Sequence, residues 1–282
     1  MQAFLNGRFI PEAQAVVPIT DRGFLYGDGL FETIRVRNGH LIWWKQHWDR
    51  LERGGDLLKI LLPWPSSALR GFATQLIERN AMPESTLRVS TSRGSGPRGY
   101  SPKHANSPTV AMTLHPLLPP KKSVRLATAT IRIPANDPLA PLKTTSKLTH
   151  VVARAEAEER GADEALLLNT DNHVAEAVAS NIFWLSNGSV CTPPVSAGAL
   201  AGVTRAVVLD LCRARNIATR EEPITSEGLN DADGVFLTNS VTGIVPVSEL
   251  DGRPIQQSPF TGELREWLEI EISREASDPA EG

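Results

Sequence analysis

Residues 31–44, FETIRVRNGHLIWW, commit the chain to a β-hairpin. Two strand-like runs flank Asn38-Gly39, a pair that accepts the positive φ angles of a type I′ turn with little strain. Asn6-Gly7 in AFLNGRFI and Asn187-Gly188 in NIFWLSNGSVCTP place further turns, and EALLLNTDNHVAEA turns at Thr170–Asn172. TLRVSTSRG, TVAMTLHPL and residues 124–133 also read as strands, and DGVFLTNSVTGIVPVSELDGRPI is strand-rich. Between them lie helical periodicities: KQHWDRLERGGDLLKI, then SSALRGFATQLIERN with Ser66 or Ser67 as its N-cap. Residues 148–160 form a helix stopped by Gly161. VTRAVVLDLCRARN is an amphipathic helix, and TGELREWLEIEISREA is a terminal one followed by a frayed SDPAEG.

PLLPPKKS, residues 116–123, interrupts this order with three prolines and two lysines. It divides the chain into an N-terminal α/β domain (1–116), a linker (117–123) and a C-terminal domain (124–282). Strands and helices mixed in two halves predict an α+β fold with its active site in the cleft between them. The balance of charge narrows the function. A formal net charge of -3, with no basic stripe, argues against a nucleic-acid partner. The start, MQAFLNGRFIPEAQ, lacks the basic and apolar regions of a signal peptide, and no apolar run approaches a membrane span. Cys191 and Cys212 form no CxxC pair, and six scattered histidines give no metal-ligand spacing. The expectation is a cytoplasmic soluble protein without a structural metal site.

GSGPRG, residues 94–99, matches GxGxxG, but Pro97 blocks the helix that a dinucleotide site needs, and no acid follows about 20 residues on. Its glycines are read instead as a turn presenting Arg93, Arg98 and Tyr100. A different set of residues has the chemistry of a pyridoxal 5'-phosphate site. In PLAPLKTTSKLTHVV, Lys143 and Lys147 stand four apart, and like charges at that spacing on a helix would repel. Lys143 can supply an amine to the cofactor. Glu176 sits among small and apolar residues in HVAEAVASN, where burial demands a cationic partner such as a protonated ring nitrogen. Gly202-Val203-Thr204 opens a helix whose N–H groups and hydroxyl suit a phosphate, and Arg50 in HWDRL can add a charged fork. Each has a plainer use: a solvated lysine, an exposed hairpin acid, a helix cap, a surface arginine. His47 reads as a packed histidine rather than a base.

Taken in order, DRGFLYGDGLFETIRV, HWDRL, LKTTSKL, EALLLNTDNHVAEAVASNIFW, LAGVTR and TNSVTGIVPV resemble the class IV aminotransferase and lyase family over nearly the whole chain. The resemblance implies a two-domain fold type IV enzyme, similar to D-amino-acid aminotransferases, that uses pyridoxal 5'-phosphate. It implies that Lys143 is the Schiff-base lysine and that Lys147 is a helix-start side chain. By the same resemblance Arg50 contacts the phosphate, Glu176 holds the ring nitrogen, Val203 and Thr204 bind phosphate, and Ser240 lies near it. A homodimer with sites near its interface is also implied. Ala177-Val178-Ala179 departs from the glycine or small polar run usual after the glutamate.

Within the family, SRGSGPRGYS resembles the RGxGxRGY signature of aminodeoxychorismate lyases, as do ASNIFW, FETIRV and TNSVTG. D-amino-acid aminotransferases have a tyrosine where this chain has Phe31, and an arginine and a histidine around Arg98 and Tyr100. The implied reaction turns 4-amino-4-deoxychorismate into p-aminobenzoate and pyruvate, a step toward folate. Arg98, oriented by Tyr100, would then meet a substrate carboxylate, with Phe31 and Thr33 facing the substrate. The alternative is a class IV transaminase acting on D- or branched-chain amino acids.

Overall fold

The structure is a computed structural model and describes residues 1–117, 119 and 121–277. The chain forms two compact units, Met1–Leu118 with Leu142–Lys147 and Ile272–Gly282, and Pro119–Pro141 with Leu148–Glu271. Thus residues 142–147 and 272–277 fold with the first unit, whereas the sequence pattern suggests one continuous run from 124 to 282. Leu118 and Pro120 of the expected linker, and 278–282 of the expected frayed end, lie outside the described residues.

The first unit contains β1 (Gln2–Leu5), β2 (Arg8–Pro11), α1 (Arg22–Tyr26), β3 (Gly29–Arg37), β4 (His40–Leu41), α2 (Trp44–Leu58), α3 (Ser66–Asn80), β5 (Ser85–Ser92) and β6 (Thr109–Pro116). Its sheet runs β2-β1-β6-β5-β3-β4, antiparallel throughout. Asn38 and Gly39 take φ of 52° and 81°, as the β3–β4 hairpin requires. Period-two alternation sends Leu30, Glu32, Ile34 and Val36 of β3 to one face, where the apolar three pack with Phe4, Leu69, Leu76, Leu87 and Met112. Phe31, Thr33 and Arg35 take the other face. Neither serine caps α3: Pro65 occupies the cap position, and Ser66 Oγ instead accepts a 2.9 Å hydrogen bond from Trp44 Nε1.

The second unit contains β7 (Val124–Ile133), α4 (Leu148–Glu159), β8 (Glu164–Asn169), β9 (Val174–Ala177), β10 (Asn181–Ser186), β11 (Ser189–Thr192), α5 (Val203–Ala214), β12 (Thr219–Glu221), α6 (Ser226–Leu229), β13 (Gly234–Asn239), β14 (Gly243–Leu250) and β15 (Arg253–Pro254). Helix α7 (Pro259–Glu275) begins here and ends in the first unit. The sheet runs β12-β11-β10-β13-β14-β7-β8-β9, with β15 on β14. Pairs β14–β7, β7–β8 and β11–β12 are parallel and the rest antiparallel. Every residue of β8 is buried, which explains its unbroken apolar run, and Leu126, Leu166, Ile182, Trp184 and Val247 make the core. Among the described residues no helix is long and apolar enough to cross a membrane.

Candidate active site

In the first unit the site is built on β3. Residues 143–145 are extended rather than helical and lie along its edge. Phe31 N donates to Lys143 O and Thr145 N donates to Gly29 O, both at 2.9 Å, with Leu30 and Thr144 forming an antiparallel bridge. Lys143 and Lys147 therefore never share a helix face, and Lys147 is the residue before α4. Lys143 Nζ lies 4.6 Å from the centroid of the Phe31 ring. Arg88 Cζ lies 4.0 Å from the same centroid, and Arg88 stands opposite Thr33 in the β3–β5 register. Burial pulls the Arg88 guanidinium pKa below its ordinary value. Sequence reasoning passed over Arg88, although register with Thr33 would have placed it on this face.

Arg50 is not a surface arginine. Buried on α2, it grips Glu32 through Nε–Oε1 at 2.8 Å and Nη2–Oε2 at 2.6 Å. His47 Nδ1 lies 2.7 Å from Glu32 Oε2. Burial alone would raise the Glu32 carboxyl, but the charge and hydrogen bonds of Arg50, helped by His47, hold it down to about 2. Burial, joined by the charges of Arg50 and Lys143, lowers His47 against the pull of Glu32. A glutamate on the apolar face of an alternating strand, with His47 and Arg50 one helical turn apart, was the signal in the sequence for this cluster.

The second unit carries the expected acid and anion donors. Glu176, buried on β9, accepts from Leu200 N at 2.8 Å and lies 3.4 Å from His150 Nε2 on α4. The stretch after it closes as a tight turn on its own backbone, Ala177 N to Ser180 O at 2.8 Å, so the apolar Ala177-Val178-Ala179 side chains leave Glu176 its partners. Val203 begins α5 and Gly202 is its N-cap. Asn181 crowds Gly202 so closely that a Cβ there would stand 2.0 Å from Asn181 Oδ1. The hydroxyls of Thr204 and Ser240 are 3.4 Å apart. The helix start and two hydroxyls thus converge as donors for an anion.

The loop between β5 and β6 differs from expectation at Arg93. That side chain is buried, binding both oxygens of Asp28 at 2.8 and 3.0 Å and the carbonyls of Leu58 and Lys59 at 2.8 Å. Burial works to raise Asp28, but Arg93 and Arg22 prevail and lower it. Arg22 holds the loop by its carbonyls, at Gly99 (2.9 Å), Tyr100 (3.1 Å) and Ser101 (3.2 Å). Arg98 and Tyr100 are exposed; the Tyr100 ring lies against Tyr26 at 5.6 Å rather than against Arg98.

The amino-transferase class IV family model matches residues 29–250. The chain is 36% identical over 273 residues to a Methanocaldococcus jannaschii protein assigned as a branched-chain-amino-acid aminotransferase, covering 94% of each. It is 33% identical over 241 residues to the aminodeoxychorismate lyase of Vibrio harveyi, covering 83% of this chain and 88% of the relative. A crystal structure from Legionella pneumophila, assigned as a 4-amino-4-deoxychorismate lyase, superposes with TM-score 0.88 at 31% identity, over 92% of this chain and 97% of that one.

Proposed function

Because the chain belongs to the class IV aminotransferases, fold type IV enzymes that work with pyridoxal 5'-phosphate, we propose that it is an aminodeoxychorismate lyase, converting 4-amino-4-deoxychorismate to p-aminobenzoate and pyruvate. The observation that carries this reading is the cationic wall around Phe31, with Arg88 at 4.0 Å and Lys143 at 4.6 Å from the ring centroid. A substrate with one carboxylate on its ring and a second on its enolpyruvyl arm suits such a wall. A branched alkyl side chain would desolvate the guanidinium without pairing it.

The residues present fit the cofactor. The N–H groups at the start of α5, from Val203 onward, with the Thr204 and Ser240 hydroxyls, match a phosphate dianion, and Arg50 adds a guanidinium. The buried Glu176 carboxylate matches a protonated ring nitrogen. Bound by these groups, the pyridinium ring supplies an electron sink. Lys143 Nζ takes the proton from the substrate carbon bearing nitrogen. The C–O bond to the enolpyruvyl group then breaks as the substrate ring becomes aromatic. The Lys143 ammonium returns its proton to the departing methylene carbon, which leaves as pyruvate. Arg98 and Arg88 would receive the carboxylates, with Tyr100 on the same exposed loop as Arg98 and with Thr33 and Phe31 facing the substrate.

A transaminase is the second reading, because Arg88 could equally receive the distal carboxylate of 2-oxoglutarate. The test is to incubate the purified enzyme with aminodeoxychorismate, and separately with D- and L-amino acids plus 2-oxoglutarate. Dominant p-aminobenzoate formation supports the lyase. Efficient amino transfer with no aromatic product replaces it with the transaminase. Borohydride reduction and peptide mapping are expected to label Lys143; a label on Lys147 would displace that assignment.

A further inference from the structure

Glu32 and His47 take no part in the chemistry above, yet with Arg50 they form a buried polar cluster in the first unit. Glu32 is 1% exposed, His47 1% and Arg50 5%. Three contacts of 2.6, 2.7 and 2.8 Å join them. Their arrangement follows from two periodicities. Alternation along β3 turns Glu32 inward, between Leu30 and Ile34. The i, i+3 spacing along α2 sets His47 and Arg50 on one face, above Glu32. The surroundings are apolar: Ile34, Trp44, Trp48, Leu51, Leu69 and Val89 line a small void beside Glu32 and His47.

A lone buried carboxylate here would be costly; paired with Arg50 and His47 it holds the guanidinium in one place. The bidentate grip on Nε and Nη2 fixes the plane of the guanidinium and therefore the direction of its remaining N–H bonds. It also cancels most of the arginine's net charge. What the pair can offer a ligand is aim rather than attraction. His47 completes the arrangement. A neutral imidazole with its proton on Nδ1 donates to Glu32 Oε2, which stops that carboxylate from rotating out of the bidentate geometry.

We infer that Glu32 and His47 are positioning residues that aim Arg50 at the cofactor phosphate, Glu32 by direct grip and His47 through Glu32. The inference rests on the reading of Arg50 as a phosphate ligand. It needs neither residue to touch the cofactor or the substrate.

Binding of two probes to the full-length chain freed of cofactor tests it: pyridoxal 5'-phosphate, and pyridoxal, which lacks the phosphate. Variants are Arg50→Gln, Glu32→Gln, His47→Leu and His47→Asn, whose amide can still donate from the Nδ1 position. Glu32→Gln and His47→Leu are expected to weaken pyridoxal 5'-phosphate roughly 10- to 100-fold, the loss of a hydrogen bond to a charged group. Pyridoxal affinity should not change, and His47→Asn should bind as the parent does. Equal losses for both probes, or an effect of His47→Asn as large as that of His47→Leu, would mean a structural role and overturn the inference. So would an Arg50→Gln that loses phosphate-dependent affinity while Glu32→Gln and His47→Leu keep it. If Arg50→Gln itself binds both probes normally, the phosphate reading of Arg50 fails first. Should Glu32→Gln not fold, the comparison of His47→Leu with His47→Asn decides alone.

Discussion

A carboxylate as deeply buried as Glu32 stays ionised only because Arg50 and His47 meet both of its oxygens. That dependence makes stability sensitive to acid in a defined window. The group's ordinary value is 4.5 and in the fold it is held at about 2. A depressed carboxyl stabilises the fold fully above its unfolded value, and the stabilisation is lost as pH falls through the folded one. The expected size is on the order of 3 kcal/mol, from the linkage of such a shift to unfolding. Urea unfolding of the parent and of Glu32→Gln should therefore differ most above pH 4.5, and the gap should close toward pH 2. A gap that stays constant across that range would show that Glu32 is not the titrating group. Lys143 draws on the same strand from its other side: the N–H of Phe31, the neighbour of Glu32, holds the lysine carbonyl, so β3 carries contacts to both Lys143 and Arg50.

Helix α5 owes its place to a glycine with no room for a side chain. A Cβ on Gly202 would meet Asn181 Oδ1 at 2.0 Å, while Asn181 Nδ2 donates to Leu200 O at 2.8 Å and ties β10 to the approach of α5. Gly202→Ala is expected to cost about 1–3 kcal/mol, as overpacking does, and to weaken pyridoxal 5'-phosphate by moving the helix start. Adding Asn181→Ala should recover much of the loss in thermal unfolding. Equal loss in both backgrounds would rule out the clash as its cause. Elements of this kind were legible where the signal is local. Asn-Gly turns gave the hairpins at 38–39 and 187–188, and helical periodicity gave α2, α3 and α5; Lys143, Glu176 and Thr204 are candidates that the quoted motifs proposed. What depends on distant partners was not legible. Arg93 looked like a presented cation because Asp28, 65 residues away, is invisible to a local pattern. The parallel pairing of β7 with β8 and β14, and the extended seat of Lys143 on β3, are likewise set by long-range register. Ser66 lost its cap role to a contact with Trp44, again across the chain.

At the scale of the whole molecule, the loop between β5 and β6 is held from below and offered outward. Arg22 binds three successive carbonyls, and Asp21 accepts from Ser92 Oγ at 2.9 Å and Thr109 Oγ1 at 2.7 Å at the loop's two ends. Yet Tyr100 is 88% exposed, a large aromatic surface left to water on an anchored segment. Anchoring lowers the entropy that a partner must overcome on docking such a loop. This supports the proposal that the enzyme is a homodimer in which Arg98 reaches the site of the other subunit. A two-fold interface presents the same loop twice, once to each site. Lys143→Ala and Arg98→Ala proteins should each be nearly inactive. Mixed under conditions of subunit exchange, they form heterodimers in which one site carries both lesions and the other neither. Random pairing restores about a quarter of the sites. Native mass spectrometry would verify the heterodimers, and turnover of aminodeoxychorismate would be followed on the same mixture. Heterodimers with no more activity than the parent single variants would place Arg98 in its own subunit's site or outside catalysis.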